Sequence, residues 1–265
     1  SMIDSQLPYD GGAATLDVGG RLLRVPKLAT ADFSSFPRTE GHALDGVLGM
    51  DFFMKYTVEL DYEIGVIRIH DPATFDYHGS GEIVPVTIAK GRPRITATMN
   101  GETRDYVIDT ASADAINDDS FEGLERAAEF AIGRFRFTGV NAAPGGRKIS
   151  GELLHRFVVI ADFAHARLIL EPGRHFGDAF LFDTSGLELE LARDGLRIAH
   201  VFANTPASDA ALLESDIITR IDEQSPLALG IDRVRRMFHE VRTHELLVRR
   251  GTKTMTVKLA LRKLL

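Results

Sequence analysis

The stretch Val107-Ile-Asp-Thr-Ala-Ser-Ala113 decides how the rest of this sequence is interpreted. Two apolar residues lead into an aspartate, and a hydroxyl residue and small residues follow it. Small residues let backbone N–H groups come close to a carboxylate at the end of a strand. Hydrolysis by a carboxylate pair needs two such acids from different walls that share one proton, because like charges a few ångströms apart cannot both ionise. Asp109 is therefore a candidate for one acid of such a pair.

The residues before Asp109 predict β-strands. Ile83–Ile88, Arg94–Met99 and Tyr106–Asp109 carry the alternation of apolar and polar residues that half-buried strands show. Asn100-Gly101 lies between the last two, and Asn-Gly is the strongest short signal for a hairpin turn. We therefore expect a mainly β fold, with Asp109 at the end of a hairpin strand.

One pattern occurs twice along the chain. Residues 49–62 align with residues 150–163, with apolar facing apolar at most positions and Asp61 aligned with Asp162. The strand signal Gly65–Ile69 that follows the first copy has an apolar counterpart after the second. The glycine of the pattern is one residue out of register between the copies. We interpret the two blocks as a structural repeat that forms two β-rich lobes.

The loop at Asp109 resembles the Asp-Thr-Gly-Ala motif of retropepsin-like aspartic proteases, with Ala111 in the place of the glycine. The second mark of that family is an apolar-apolar-Gly strand that packs beside the active-site loop and leads into a helical turn. Val47-Leu48-Gly49 resembles this strand well, and Ile149-Ser150-Gly151 resembles it less well. The resemblance covers about residues 13–172.

The resemblance implies a role for each matching residue. Asp109 would be a catalytic acid, and Thr110 would be the hydroxyl that grips the opposite lobe. Gly49 and Gly151 would be the structural glycines behind each loop. Ala111 adds a methyl group where close approach is expected, and this could tilt the carboxylate. The implied activity is that of an aspartic-type endopeptidase, which acts on protein or peptide substrates and needs no cofactor.

The first block contains no Asp-Thr/Ser-Gly of its own. Its Val18–Leu22 echoes Ile132–Phe135 of the second block, so the sequence opens at a point that matches the middle of a lobe. We therefore expect a first lobe that is N-terminally truncated, and a chain that is nearly inactive as a monomer. Asp10 is the one candidate replacement, but it follows no apolar strand and lies too close to Val18. A flexible turn is the other interpretation of Asp10.

Residues 184–265 have a different pattern. The predicted elements are, in order, strands Leu187–Leu191 and Leu196–Phe202, a short helix after Thr205-Pro206, strand Asp216–Ile221, an amphipathic helix, and strands Glu245–Arg249 and Thr254–Leu261. The amphipathic helix is predicted to place Val234, Met237, Phe238 and Val241 on one face. The predicted linker before this block is Pro172–Asp183.

This third block resembles a bacterial PDZ domain. Thr205–Ser208 followed by Ala210–Ile218 looks like the Ser-Pro-Ala…Ala-Gly-Leu…Gly-Asp-Val-Ile run of that family, with Ser215 where glycine is usual. Arg249-Arg250-Gly251 matches its Arg-x-Gly turn before the last strand. The resemblance implies a β-sandwich with two helices that binds an extended C-terminal peptide at a sheet edge.

The implied peptide site has two parts. The loop Ser185-Gly186-Leu187 would hold the carboxylate of the peptide with its backbone N–H groups. The side-chain pocket would be formed by Leu187, Leu189, Val234 and Phe238. The alternative for these four residues is that they fill the core of the domain.

Composition narrows the classes of function. The 265-residue chain has a formal charge of -7 and no block of Lys or Arg, which argues against nucleic acid or an anionic membrane as the main partner. Without cysteine it can form no disulfide, thiol nucleophile or cysteine-based zinc site. No metal-ligand motif is found around its nine histidines, and no apolar run is long enough to span a bilayer. The compartment stays open, although the family resemblance favours a periplasmic or exported protein.

The sequence thus predicts three parts: the C-terminal part of a first retropepsin-like lobe at 1–78, a second such lobe at 79–175, and a PDZ domain at 184–265. The leading hypothesis is an aspartic-type endopeptidase whose PDZ domain recruits substrates or partners. Its rival is a catalytically inactive, protease-like protein that binds peptides. A serine protease with a PDZ domain is a third hypothesis, which the absence of Gly-x-Ser-x-Gly disfavours. A dimer is left open as the assembly.

Overall fold

The computed structural model describes residues 12–18, 20–25, 46–112, 114–123 and 125–264. The protein is mainly β, which confirms the fold class expected from the alternating strands. Contacts divide the chain into two compact units. The first unit comprises the described residues of 12–25 and 48–180, and the second comprises 181–264 together with residues 46 and 47.

The first unit is built from short strands and two short helices. Its strands are β1 Ala14–Val18, β2 Arg21–Val25, β3 Thr57–Asp61, β4 Val66–His70, β5 Glu82–Pro85, β6 Thr87–Ala89, β7 Arg92–Met99, β8 Glu102–Ile108, β9 Ile116–Asn117, β10 Glu125–Ile132, β11 Phe135–Ala143, β12 Lys148–Ile149, β13 Phe157–Asp162 and β14 Arg167–Pro172. Its helices are α1 Met50–Lys55 and α2 Gly151–Leu154.

Seven of these strands form the sheet that carries Asp109. Their order is β10-β11-β9-β12-β8-β7-β6, and a further pairing of β10 with β7 closes the sheet on itself. Asn100 and Gly101 join β7 to β8 with φ values of +48° and +85°, as a two-residue hairpin turn requires. The hairpin predicted from Asn-Gly is therefore confirmed.

A five-stranded sheet, in the order β4-β3-β13-β14-β5, shows the repeat directly. In the first hairpin Leu60 lies opposite Ile67, and in the second Ala161 lies opposite Leu168. These two pairs are equivalent in the alignment that places Asp61 with Asp162. Strand β3 also pairs with β13 so that each strand meets its own counterpart in antiparallel register. The two copies are thus related by a local two-fold axis within this sheet.

The predicted strand Ile83–Ile88 is two strands in the structure. Strand β5 belongs to the five-stranded sheet, whereas β6 belongs to the seven-stranded sheet. Pro85 has no N–H to donate, and the chain changes sheets at Val86, whose N–H donates to the carbonyl of Ala166 at 2.8 Å. The alternating pattern therefore predicted the strand character but not the break.

The second unit has its own five-stranded sheet and core. Its elements are β15 Leu187–Ala192, β16 Gly195–Val201, α3 Pro206–Asp209, β17 Ile217–Ile221, α4 Pro226–Leu229, α5 Ile231–Met237, β18 Thr243–Arg250 and β19 Lys253–Ala260. The strands follow one another in space in sequence order, which leaves β15 at one edge. The prediction for Val241 was wrong: α5 ends at Met237, and Val241 is 58% exposed.

The division into lobes at 1–78 and 79–175 stays a prediction. Strands from both predicted lobes share the five-stranded sheet and lie in one compact unit. That unit also extends to Phe180, which is 5% exposed in its core. The segment predicted as a linker therefore begins inside the first unit.

Candidate functional site

Asp109 follows the C-terminal end of β8, beside β12. The two strands run parallel with Ile108 opposite Ile149, and both isoleucines are buried. The backbone N–H of Asp109 donates to the carbonyl of Ile149 at 2.9 Å. The position of Asp109 is thus fixed by the pairing of β8 with β12.

The start of α2 holds this loop. The N–H of Gly151 donates to the carbonyl of Ser112 at 2.8 Å, and the N–H of Ser150 donates to Ala115 at 3.0 Å. The first N–H groups of a helix have no partner within the helix, so the loop carbonyls supply what they lack. Gly151 therefore lies directly behind the loop of Asp109.

The other predicted glycine lies elsewhere. Gly49 immediately precedes α1, and a Cβ at this position would meet no atom within 4 Å. Leu48 is 42% exposed and outside any strand, whereas Ile149, its counterpart in the second copy, is fully buried in β12. The structure brings Gly151 to the Asp109 loop and does not bring Gly49 there, although the first copy fits the motif better by sequence.

The side chain of Asp109 has a positive neighbour. Its Oδ2 lies 3.3 Å from the ammonium of Lys148, and its own side chain is 10% exposed. Its Oδ1 accepts a hydrogen bond from the backbone N–H of Ala111 at 3.0 Å. Ala111 is not among the residues with positive φ, so its methyl group causes no backbone strain. Thr110 is exposed, and Asp10 lies outside the described residues.

A second carboxyl group behind the loop was not anticipated from the sequence. Burial raises the pKa of Glu152 in α2 to about 7, against the hydrogen bonds that Asn141 donates to it. The backbone N–H of Glu152 donates to the carbonyl of Asp114 in the loop at 3.1 Å. An acid that changes its charge near neutral pH therefore lies on the element that holds the Asp109 loop. Its Ser-Gly-Glu context gives no sequence signal of this burial.

The predicted peptide groove lies between β15 and α5 of the second unit. Strand β15 pairs with β16 on one side, and no described strand pairs with its other edge. The four residues predicted to line a side-chain pocket are all buried in the core: Leu187 and Leu189 are 8% and 5% exposed, and Val234 and Phe238 are 0% exposed. The structure therefore agrees with the alternative stated for these four residues, that they fill the core of the domain.

The N–H groups of the predicted carboxylate loop already have acceptors. Asp183 Oδ1 accepts from the backbone N–H of Ser185 at 2.7 Å and from that of Gly186 at 2.8 Å. The hydroxyl of Ser185 accepts from the N–H of Leu187 at 3.1 Å. Burial raises the pKa of Asp183, while its hydrogen bonds act in the opposite direction. Asp183 was predicted only as the end of the linker, although an aspartate two residues before Ser-Gly is a known signal for such a turn.

Among the described residues there is no cluster of three or more His, Asp or Glu side chains that could hold a metal ion. Within the same residues, no helix has the length and apolar character needed to cross a membrane.

Comparison with known proteins gives weak likenesses. No family model matches the chain, and no curated protein matches it either. One similar solved structure is a retropepsin-like aspartic protease from Rickettsia conorii, with 20% identity, a TM-score of 0.28, and coverage of 36% of this chain and 96% of the other. Another is a serine endoprotease from Yersinia pestis, with 11% identity, a TM-score of 0.31, and coverage of 83% and 100%. A third is the HtrA-type protease AlgW with a decapeptide, with 15% identity, a TM-score of 0.24, and coverage of 76% and 74%. TM-scores this low carry no argument for a fold or an activity.

Proposed function

We propose that this chain acts as an aspartic-type endopeptidase, with Asp109 as one acid and residues 184–265 as a PDZ-like module that binds extended peptides. The observation that carries the proposal is the loop of Asp109. A strand-end aspartate, followed by small residues and held from behind by Ser150 and Gly151, has the form that presents a carboxylate to a substrate. The exposed hydroxyl of Thr110 is available to a facing wall.

The proposed chemistry needs a second acid opposite Asp109. One carboxylate would act as the base on a water, and the other would donate a proton to the peptide carbonyl. The sequence contains a second Asp-Thr, at Asp183-Thr184, but Asp183 accepts hydrogen bonds from the backbone N–H groups of Ser185 and Gly186, so a second copy of the chain is the simplest source of the partner. Two copies related by a two-fold axis would each contribute one Asp109.

This predicts peptide cleavage that depends on dimer formation. The specific rate on an unstructured protein substrate should rise with enzyme concentration and be blocked by pepstatin. Asp109→Asn should abolish it, because an amide can neither share the proton nor activate water. The matched control is Asp105→Asn, at an exposed position of β8, where Oδ1 accepts from Thr96 and an amide oxygen can replace it. Cleavage that survives Asp109→Asn, or that does not depend on concentration, would contradict the proposal.

The rival function is peptide binding without catalysis, and Lys148 is the observation in its favour. Its ammonium lies 3.3 Å from Asp109 and occupies part of the space around the carboxylate. An ion pair of this kind can serve structure alone. No cleavage at any enzyme concentration, together with retained peptide binding by the second unit, would favour this rival.

A further inference from the structure

The loop before β15 is filled from within the chain. Asp183 places one carboxylate oxygen on two backbone N–H groups, at 2.7 Å from Ser185 N and 2.8 Å from Gly186 N, and also accepts from the Ser185 hydroxyl at 2.5 Å. The third N–H of the loop, that of Leu187, is bound by the same hydroxyl. These are the three donors that a peptide carboxylate would need.

The loop is held on its other side as well. The carbonyl of Ser185 accepts from the N–H of Ala207 at 3.0 Å, and the carbonyl of Gly186 accepts from the N–H of Phe202 at 3.0 Å. Gly186 has a φ of +73°, and a Cβ there would lie 2.2 Å from the side chain of Thr205. Because both faces of the loop are fixed, its donors become available to a ligand only when Asp183 leaves them.

A peptide carboxylate gains little by taking that place. It would make the hydrogen bonds that Asp183 loses, so the exchange gives almost no net stabilisation. The displaced carboxylate would also remain close to the incoming one, and like charges at short range repel. Asp183 is tethered to the loop, and its effective concentration exceeds that of a free peptide.

The side-chain half of the predicted site is filled too. The residues expected to surround the last side chain of a peptide are packed against one another in the core, with Val234 and Phe238 fully buried. Both features that recognise a free C-terminus are therefore occupied, whereas the outer edge of β15 has no partner among the described strands. An unpaired strand edge can still bind an extended backbone.

We propose that Asp183 supplies the carboxylate from within the chain, so that the groove of β15 and α5 takes an extended segment from inside a polypeptide and does not select a free C-terminus. This inference rests on the proposed peptide binding by the second unit. It makes Asp183 a specificity-determining residue.

The test uses the full chain and one labelled probe in two forms. The probe is a peptide of roughly ten residues, long enough for a strand, with alternating valine and lysine and a C-terminal valine, made as the free acid and as the amide. Fluorescence polarisation should give affinities for the two forms that agree within about twofold in the wild type. Asp183→Ala should bind the acid at least about tenfold more tightly than the amide, because its donors are then free.

Two variants serve as controls. Asp232→Ala removes an exposed carboxylate from α5, next to the groove, and should behave like the wild type. Asp183→Asn keeps an acceptor oxygen on the loop and should show a preference of less than about threefold. Amide shifts in the NMR spectrum should locate the bound peptide at β15 in every variant.

Each outcome separates the two proposals. A wild type that prefers the acid by about tenfold or more overturns this inference while leaving peptide binding intact, and this comparison needs no variant to fold. A folded Asp183→Ala with no preference for the acid overturns it as well. If neither form of the probe binds any variant, the proposed peptide-binding function fails and the inference fails with it.

Discussion

Glu152 lies in α2 with its carboxylate at the side chain of Asn141, whose amide donates at 3.0 Å and 3.2 Å to its two oxygens. These bonds favour the ionised form, but burial outweighs them and raises the pKa from 4.5 to about 7. Asp114 raises the pKa further, and Arg156 lowers it. Glu152 therefore gains or loses its proton near neutral pH, and it lies in α2, the helix that holds the Asp109 loop.

The free energy of unfolding should therefore fall as the pH rises from about 4.5 to about 7. Between about pH 4.5 and about pH 7 the folded protein keeps a proton on Glu152 that the unfolded chain has lost, so the free energy of unfolding decreases by on the order of 3 kcal/mol. Glu152→Gln removes this contribution and keeps an acceptor for Asn141. Urea unfolding at several pH values should show the variant to be more stable than the wild type above about pH 7.

The control for this prediction is Glu129→Gln, at an exposed position of β10. It should leave the pH profile of the wild type unchanged. If Glu152→Gln and the wild type lose stability in parallel as the pH rises, Glu152 does not carry the effect.

The position of a candidate site residue could be predicted from the sequence where it depends on the residues next to it in the chain. The position of Asp109 at a strand end follows from the alternation before it and from the Asn-Gly turn. Lys148 and Asp183 were not predicted as partners. Lys148 reaches Asp109 through the parallel pairing of β12 with β8, and one sequence does not reveal that pairing. Asp183 acts through a local turn, for which a signal was present.

At the scale of elements, the repeat was readable because both copies keep one register. The copies differ in their neighbouring strands. Ile67 in β4 is 64% exposed, whereas its counterpart Leu168 in β14 is fully buried. Strand β14 has β5 beside it, and no described strand lies on the outer side of β4. Apolar periodicity gives the face of a strand but not whether a neighbour covers it, so this difference could not be predicted.

In two turns of the second unit, this sequence has another residue where the PDZ pattern has glycine. Ala211 and Ser215 stand at positions where the resembling family has glycine, and they have φ values of +54° and +70°. The left-handed backbone region costs residues other than glycine roughly 1–2 kcal/mol of conformational free energy. Both positions therefore have the backbone conformation that glycine adopts most readily, although the sequence has alanine and serine there.

Ala211→Gly and Ser215→Gly should each stabilise the second unit, by about 1 kcal/mol or less, because relief of strain exceeds the added freedom of the unfolded chain. For a unit of this size that corresponds to a rise in Tm of about 4–8 °C per kcal/mol. Ala210→Gly is the matched control, since Ala210 has a φ of -80° and the change should destabilise. Calorimetry of the three variants checks the signs. A loss of stability in both Ala211→Gly and Ser215→Gly would show that these side chains contribute more than their strained backbone costs.

At the scale of the whole molecule, each unit has its own main core, and the first unit has a further small cluster of Leu23, Phe52 and Val58. The main core of the first unit includes Phe180, although the Gly- and Phe-containing segment Pro172–Asp183 was predicted as a linker. Arg156 holds that segment: its guanidinium lies 3.7 Å from the centre of the Phe180 ring and donates to the carbonyls of His175 and Ala179 at 3.3 Å. Composition indicated a linker because it does not record which aromatic side chains find a core.

Separate cores predict separate unfolding. Phe180→Ala leaves a cavity in the core of the first unit, and Phe238→Ala leaves one in the core of the second. The centres of the Phe238 and His244 rings are 5.6 Å apart. Each change should cost about 3–5 kcal/mol. Amide hydrogen exchange should show reduced protection of the Ile160 amide in Phe180→Ala and of the Ile218 amide in Phe238→Ala. The other amide should keep its protection in each case, so that each variant is the control for the other. Equal losses at both sites in either variant would mean that the two cores unfold as one cooperative body, and the second unit could then not be studied as an independent binding module.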